Sequence, residues 1–344
     1  MKKIVFISGR LGGGGSERVL TLVANELAKR DYDVTIITFG DFENPYKNNC
    51  PVKTIYFKND FEQILKLRKT IKKILPDTVI AFEYYVGMKT VVATLGMKLR
   101  VVVSERNDPH KLDKNIIKRW IRDILYKRAN LLVCQTNDAE KYFRNRGVNS
   151  TTVICNPIKQ GLPKWNYADS NQIIINYCKL EKQKNIELLI ESFELISKEF
   201  LKVELHIYGN GSEEGYLRNI IENKGLLDRI KIMPFNNDIH NIASKCFLYV
   251  SSSDYEGISN SMLEAMAMGM PVICTDCPIG GANMVINDGV NGFLVSVGRA
   301  EQLAAKIRFC LSNPNKMEEI SAEAVKIQDK YSLRKITSLW EKII

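Results

Sequence analysis

Hydrophobic and polar positions along this 344-residue chain follow two alternating periods. Short unbroken apolar runs, such as Ile4-Val5-Phe6-Ile7, Val79-Ile80-Ala81-Phe82 and Phe247-Leu248-Tyr249-Val250, suit strands buried on both faces. Between them lie stretches with apolar residues every three or four positions, as at Leu20, Val23, Ala24 and Leu27, which suit helices with one face on a core. The pattern predicts strands at 3–8, 33–38, 52–57, 78–82, 99–103, 131–135 and 152–154, with helices at 16–30, 61–75, 86–97, 115–128 and 138–146. A second set has strands at 172–177, 203–208, 230–233, 247–250 and 271–274, and helices at 186–199, 213–224, 238–245, around Glu264, 300–312, 317–330 and 331–344. Such alternation implies an α/β fold with parallel sheets covered on both faces and ligands at the carboxyl ends of the strands. Asn156-Pro157 closes the first set and 159–170 serves as a linker, giving domains at 1–160 and 171–330.

Composition fits that picture, with 45% hydrophobic and 26% charged residues and no run near the ~20 apolar residues of a membrane span. Lys2-Lys3 precedes too short an apolar run for a secretory signal. The eight cysteines are scattered, and Cys274-Thr275-Asp276-Cys277 has no second pair or histidine beside it. Reduced packing thiols in a cytoplasmic protein are therefore expected, with no metal site and no cofactor.

Charge changes the picture more. Residues 1–157 carry 28 Lys and Arg against 16 Asp and Glu, whereas residues 158–344 carry 21 against 23. A one-sided basic half calls for an anionic partner. Two predicted helices there, 61–75 and 111–128, are basic and amphipathic, the second with seven basic residues around Ile116, Ile117, Trp120, Ile121, Ile124, Leu125 and Tyr126. Each reads either as a core-packed helix with a solvated outer face or as an interfacial surface on anionic lipid. No nucleic-acid-binding motif accompanies them.

Candidate chemistry gathers at strand ends. Four glycines, Gly12 to Gly15, stand between a strand and a helix, where backbone can approach a phosphate; neither a Walker loop nor Gly-x-Gly-x-x-Gly is present. Lys179 and Lys184 follow a strand five residues apart, within reach of one diphosphate. Glu256 and Glu264 stand with seven residues between them, the first in a turn and the second on a helix for which Ser259, Asn260 and Ser261 offer capping oxygens. Free N–H groups at that helix start, near Gly257, Ile258 and Ser259, suit a pyrophosphate. Alternatively, Ser261-Met262-Leu263-Glu264 is a capping box and Glu256 a solvated acid. Glu105 and Arg106 follow a buried strand and are expected to face a cleft, while His206 and His240 read as packed or capped.

Gly14-Gly15-Ser16-Glu17-Arg18, Ser104-Glu105-Arg106-Asn107-Asp108, Asn156-Pro157, Lys179 to Asn185, Tyr208-Gly209-Asn210-Gly211, the Glu256/Glu264 pair and Asp288 to Val295 occur in one order over nearly the whole chain. In that order they resemble glycosyltransferase family 4, retaining GT-B enzymes that use nucleotide-sugar donors. The resemblance implies two Rossmann-like parallel-sheet domains facing across a cleft, with the acceptor on residues 1–160, the donor on 171–330 and a helix at 331–344 crossing back. It implies a UDP-sugar donor and a glycan acceptor. The two basic helices with the basic first half suggest peripheral contact with an anionic membrane face, which would suit a lipid-linked acceptor, and no nucleic acid is expected. The resemblance places Glu256 beside the donor sugar, Glu264 on the ribose, Lys179 and Lys184 on the diphosphate, Gly15 against the pyrophosphate, and Asn236 and Asn237 by the nucleobase. Ser16, Glu105 and Arg106 fall on the acceptor side. Lys179 stands where the family pattern has arginine, Arg106 near a usual histidine, and Met284 where relatives often carry glutamate. Two rival readings are a UDP-sugar 2-epimerase on the same fold and a non-catalytic membrane-docking module.

Overall fold

The computed structural model describes residues 1–40, 47–111 and 115–344. The chain divides into two compact units, Met1–Pro157 with Tyr331–Ile344, and Ile158–Lys330.

The first unit begins β1 (Lys3–Ile7), α1 (Gly15–Ala28), β2 (Asp33–Phe39), β3 (Val52–Ile55), α2 (Asp60–Ile74), β4 (Thr78–Phe82) and α3 (Tyr84–Ala93). It continues with β5 (Arg100–Ser104), α4 (Ile116–Tyr126), β6 (Leu131–Cys134), α5 (Asn137–Arg144) and β7 (Thr151–Val153). Its seven strands form one parallel sheet in the order β3-β2-β1-β4-β5-β6-β7. Register follows from the buried runs: Ile4 faces Val34 on one side and Thr78 on the other. Val5, Ile7, Ile37, Val79 and Ala81 pack with Leu67 and Ile71 of α2 and Val86 and Ala93 of α3 in one core.

The second unit runs β8 (Asn171–Tyr177), α6 (Ile186–Ser197), β9 (Glu204–Tyr208), α7 (Glu214–Asn223), β10 (Ile230–Met233), α8 (Ile239–Ala243) and β11 (Cys246–Ser251). Then come α9 (Asn260–Met268), β12 (Val272–Thr275), β13 (Phe293–Val295), α10 (Ala300–Ser312), α11 (Pro314–Ala324) and α12 (Ile327–Tyr331). Its sheet is also parallel, ordered β10-β9-β8-β11-β12-β13. Ile174, Leu205, Leu248 and Ile273 of the strands bury against Leu189 and Phe193 of α6 and Leu303 and Ile307 of α10. The last helix, α13 (Leu333–Glu341), belongs to the first unit and packs on α1. There Trp340 is fully buried and stacks on Phe82 at 5.5 Å, and Arg30 pairs with Glu341 at 2.6 Å.

Three expectations change. The stretch read as a linker is folded onto the second unit: Trp165 is 3% exposed, its backbone N–H donates to Met268 O, and its indole N–H donates to Cys246 O at 2.7 Å. A large apolar ring with one donor gains most where both its surface and its N–H are satisfied. The helix expected at 317–330 is two, α11 and α12. The two basic helices also part ways. Helix α2 buries Leu67 and Ile71 and sends Lys66, Lys69, Lys72 and Lys73 outward, the solvated-face alternative. Helix α4 is turned the other way, and Arg122, counted as surface charge, is fully buried. Residues 112–114 of the basic stretch expected at 111–128 lie outside the described residues.

Candidate active site

In the second unit β9 and β10 continue to one side of β8, while β11, β12 and β13 lie on the other, so the strand order reverses between β8 and β11. Parallel sheets open a crevice at the carboxyl ends of the two strands that flank such a reversal. The loop after β8 carries Lys179 and Lys184, and the loop after β11 carries Glu256.

These two loops are laced together. Gln183 Nε2 donates to Tyr255 O at 2.7 Å, Asp254 N donates to Gln183 O at 2.9 Å, and Asn185 Nδ2 donates to Asp254 Oδ1 at 2.7 Å. Ser252 Oγ donates to Asn185 O at 2.8 Å. At the centre Lys184 Nζ lies 2.5 Å from Glu256 Oε2, which also accepts from Ser253 Oγ at 3.1 Å. Burial pulls the Lys184 ammonium pKa down, and the Glu256 carboxylate, with Cys178 beside it, more than reverses that pull, leaving the pKa above its usual value. Lys179 is exposed.

Glycines bring these loops close. A Cβ on Gly211 would stand 2.1 Å from Leu180 O, and one on Gly281 would stand 1.6 Å from Gly257 O. The loop after β9 thus lies against the lysine loop, and the segment after β12 lies against the Glu256 turn; neither contact leaves room for a side chain. Ser253, Glu256, Gly257, Ser259, Thr275 and Cys277, among others, line a small open hollow.

Helix α9 starts beside this hollow. Its cap is Ser259, whose Oγ accepts from Met262 N at 3.3 Å. Ser261 is a helical residue, so the alternative reading of Ser261 to Glu264 as a capping box does not hold; Glu264 lies too deep in the helix to reach back. Glu264 is 2% exposed, and its Oε2 is 2.9 Å from His240 Nε2 of α8. The Lys159 ammonium sits 3.5 Å from His240 Nδ1, so Nε2 is the ring N–H that faces the carboxylate. Reading His240 as merely packed or capped missed this contact, because 24 residues separate the partners and no spacing rule joins them. Ile258 is buried, whereas Asn236 and Asn237 lie in the turn after β10, with Asn236 Oδ1 accepting from Asp238 N at 2.8 Å.

In the first unit the strand order reverses between β1 and β4. After β1 the glycine-rich loop ends at Gly14, the cap of α1, whose N–H donates to Glu17 Oε2 at 2.7 Å; Gly15 begins the helix. Ser16 Oγ donates to Glu83 Oε1 at 2.6 Å, and Glu83, after β4, has φ of 77°. Burial raises the Glu83 carboxyl, the Ser16 bond opposes that shift, and nearby Glu17 adds to it. No local pattern or spacing singles out Glu83.

Glu105 and Arg106 do not stand out into a cleft as expected. Glu105 is 2% exposed, accepting from Arg106 N at 3.1 Å and from Tyr126 OH at 3.3 Å, and burial lifts its carboxyl to about 7. Arg106 is half-buried, bonded to Asn156 Oδ1 and to Ser104 Oγ, with its guanidinium 5.0 Å from the Phe82 ring centre. Polar partners inside the unit draw both side chains inward.

The Lys184–Glu256 pair thus lies at a strand-order reversal in one of two parallel α/β units, where doubly wound folds bind their ligands. The chain belongs to the glycosyltransferase group 1 and family 4 enzymes: residues 13–160 match Glycosyltransferase Family 4 and residues 160–327 match Glycosyl transferases group 1. It is 25% identical to an uncharacterized glycosyltransferase of Haemophilus influenzae over the full length of both. It is 24% identical to the GalNAc-alpha-(1->4)-GalNAc-alpha-(1->3)-diNAcBac-PP-undecaprenol alpha-1,4-N-acetyl-D-galactosaminyltransferase of Campylobacter jejuni, over 100% of this chain and 98% of that one. The crystal structure of Anabaena HepE in complex with UDP is similar in fold, with a TM-score of 0.86, 22% identity and 99% coverage of each chain. The fold is GT-B.

Proposed function

We propose that this protein moves a hexosyl or N-acetylhexosaminyl group from a UDP-sugar to a lipid-linked glycan acceptor, with retention at the anomeric carbon. The Lys184–Glu256 pair carries this reading: a partly buried cation and carboxylate meet at the lip of a hollow beside a helix N-terminus. The UDP of HepE and the undecaprenol-linked acceptor of the Campylobacter relative support the donor and acceptor classes.

In this mechanism the N–H groups opening α9, near Gly257, Ile258 and Ser259, take the donor pyrophosphate, and Lys179 and Lys184 neutralise charge growing on the departing UDP. Glu256 holds donor-sugar hydroxyls and faces the positive charge that develops as the glycosidic bond to phosphate breaks. The leaving phosphate oxygen takes the acceptor proton as the acceptor oxygen bonds to the same face of the sugar. Glu264 accepts from the ribose hydroxyls, and His240 is a positioning residue that fixes its carboxylate. Asn236 and Asn237 border the nucleobase. Lysines and helix amides supply the positive charge, so turnover needs no divalent metal and survives EDTA.

The test is a panel of UDP-sugars offered with a polyprenyl-pyrophosphate-linked sugar, with product linkage and anomeric configuration read by NMR. Glu256→Gln should lower kcat about 10²–10³-fold with UDP affinity changed only a few-fold, the scale of losing one transition-state contact. His240→Ala should raise the donor KM and leave kcat near wild type. Wild-type turnover in Glu256→Gln, or conversion of a UDP-sugar without any acceptor, would overturn the assignment.

A further inference from the structure

Helix α4 is assembled inside out. Its buried residues are Arg122, Asp123 and Tyr126, not its isoleucines. Arg122 fixes the rotation: its guanidinium bonds Asp123 Oδ1 at 2.7 Å, Tyr142 OH at 2.7 Å and Pro109 O at 3.0 Å. The rings of Tyr84, Tyr142 and Phe143 enclose it at 5.5, 5.3 and 4.9 Å. Tyr126 adds a bond to Glu105, and Gly87 of α3 lets the helices close, since a Cβ there would stand 3.0 Å from Tyr126 OH. Turning this face outward would break all of those bonds and leave Asp123 with only Arg146 and Tyr142 as partners.

The consequence is an outward face of Ile116, Ile117, Trp120, Ile121 and Ile124, exposed by 71%, 67%, 65%, 39% and 36%. At about 100° per residue these five span an arc of about 140°. Exposed Lys118, Lys127 and Arg128 border the arc, and Lys118 Nζ lies 5.9 Å over the ring of Tyr85, itself 48% exposed. Between residues 115 and 128 the one acidic residue is Asp123, and it is buried.

We propose that this face docks the protein on an anionic lipid leaflet, with α4 lying in the plane of the interface and Trp120 and the isoleucines entering the headgroup–acyl boundary. An apolar stripe edged by cations and free of anions matches that surface in both chemistry and charge. A second copy of the same face would set lysine against lysine. Among the described residues no helix is long and apolar enough to cross a membrane, so attachment through α4 is peripheral. The docking goes beyond the transfer reaction and is measured without donor or acceptor, so either can fail alone.

The experiment is flotation of the full chain with vesicles of about one-third phosphatidylglycerol in phosphatidylcholine, at low and high salt. Binding is expected to the anionic vesicles and to fall with salt, with little binding to phosphatidylcholine alone. Ile117→Ser with Trp120→Ser should weaken partitioning at least about tenfold. The thermal midpoint should hold, because both side chains already face solvent. Charge reversal at Lys118, Lys127 and Arg128 should weaken binding and remove its salt dependence. Trp165 and Trp340 are 3% and 0% exposed, so a vesicle-induced blue shift in tryptophan emission reports Trp120; Trp120→Phe should keep binding and lose the shift. The proposal is overturned by absent binding at low salt, by unchanged binding in the double serine variant, or by a self-association that those serines abolish in place of vesicle binding.

Discussion

Replacing Lys184 with methionine isolates what holds the two site loops together. The substitution keeps length and apolar bulk and removes the charge facing Glu256 across 2.5 Å. A fully exposed ion pair is worth about 0–1 kcal/mol, whereas losing one partner of a buried pair costs about 3–5 kcal/mol. Here the side chains retain 18% and 20% of their exposure, and Ser253 still donates to the stranded carboxylate, so the expected cost lies between, at about 2–3 kcal/mol. For a unit of this size that lowers the midpoint of its thermal transition by roughly 4–12 °C. Urea denaturation of Lys184→Met, Glu256→Gln and the double variant closes a cycle. The double variant should cost little more than either single one, with a coupling of about 1.5–2.5 kcal/mol. Protonation adds a second check. The folded lysine pKa is raised above its ordinary 10.5, so the contribution is complete below that value and is given up as pH climbs past it. The Lys184→Met penalty should therefore be flat through neutral pH and shrink only in strong alkali. Additive single costs, within about 0.5 kcal/mol, would show that the two charges do not support each other.

Glu105→Gln should change the pH dependence of stability, since the folded carboxyl titrates at about 7 against 4.5 ordinarily. Between these values the native state holds a proton that the unfolded chain releases, so wild type weakens as pH rises; the glutamine variant should escape that loss and gain up to about 3 kcal/mol at pH 8 relative to pH 4. Urea midpoints at the two pH values decide it, and a variant weakened more at pH 8 refutes it. Gly281→Ala must displace the Gly257 carbonyl that its Cβ would strike, which should cut kcat at least about tenfold while circular dichroism stays native. An alanine variant with normal turnover would show that this segment does not set the Glu256 turn. Ser259→Ala should cost about 1 kcal/mol and Ser261→Ala less than about 0.5 kcal/mol in urea denaturation, because only Ser259 caps α9.

Much of the architecture is legible in the amino-acid sequence. Apolar runs such as Val79 to Phe82 end within a residue or two of the observed strands, because strands buried on both faces are built mostly of apolar residues. Loop positions for Lys184 and Glu256 follow from the same alternation, since each stands just beyond a strand. Contacts between distant segments were not readable. His240 reaches Glu264 and Ser16 reaches Glu83 only through sheet order, which no local period encodes. The α4 stripe was the instructive failure. Periodicity identified an amphipathic helix correctly but left open which face looks inward, and the buried Arg122 cluster, drawn from three other segments, decided it.

The slot that Trp340 fills beside Phe82 has a bearing on biosynthesis. Strands β1 to β7 emerge from the ribosome early, yet residues 331–344 follow only after 158–330 have been made. The contiguous unit can close while the nascent first unit still exposes an unfilled aromatic socket to chaperones. Ribosome-stalled chains ending before Leu333 should therefore carry a protease-resistant 158–330 fragment beside a still-labile leading segment.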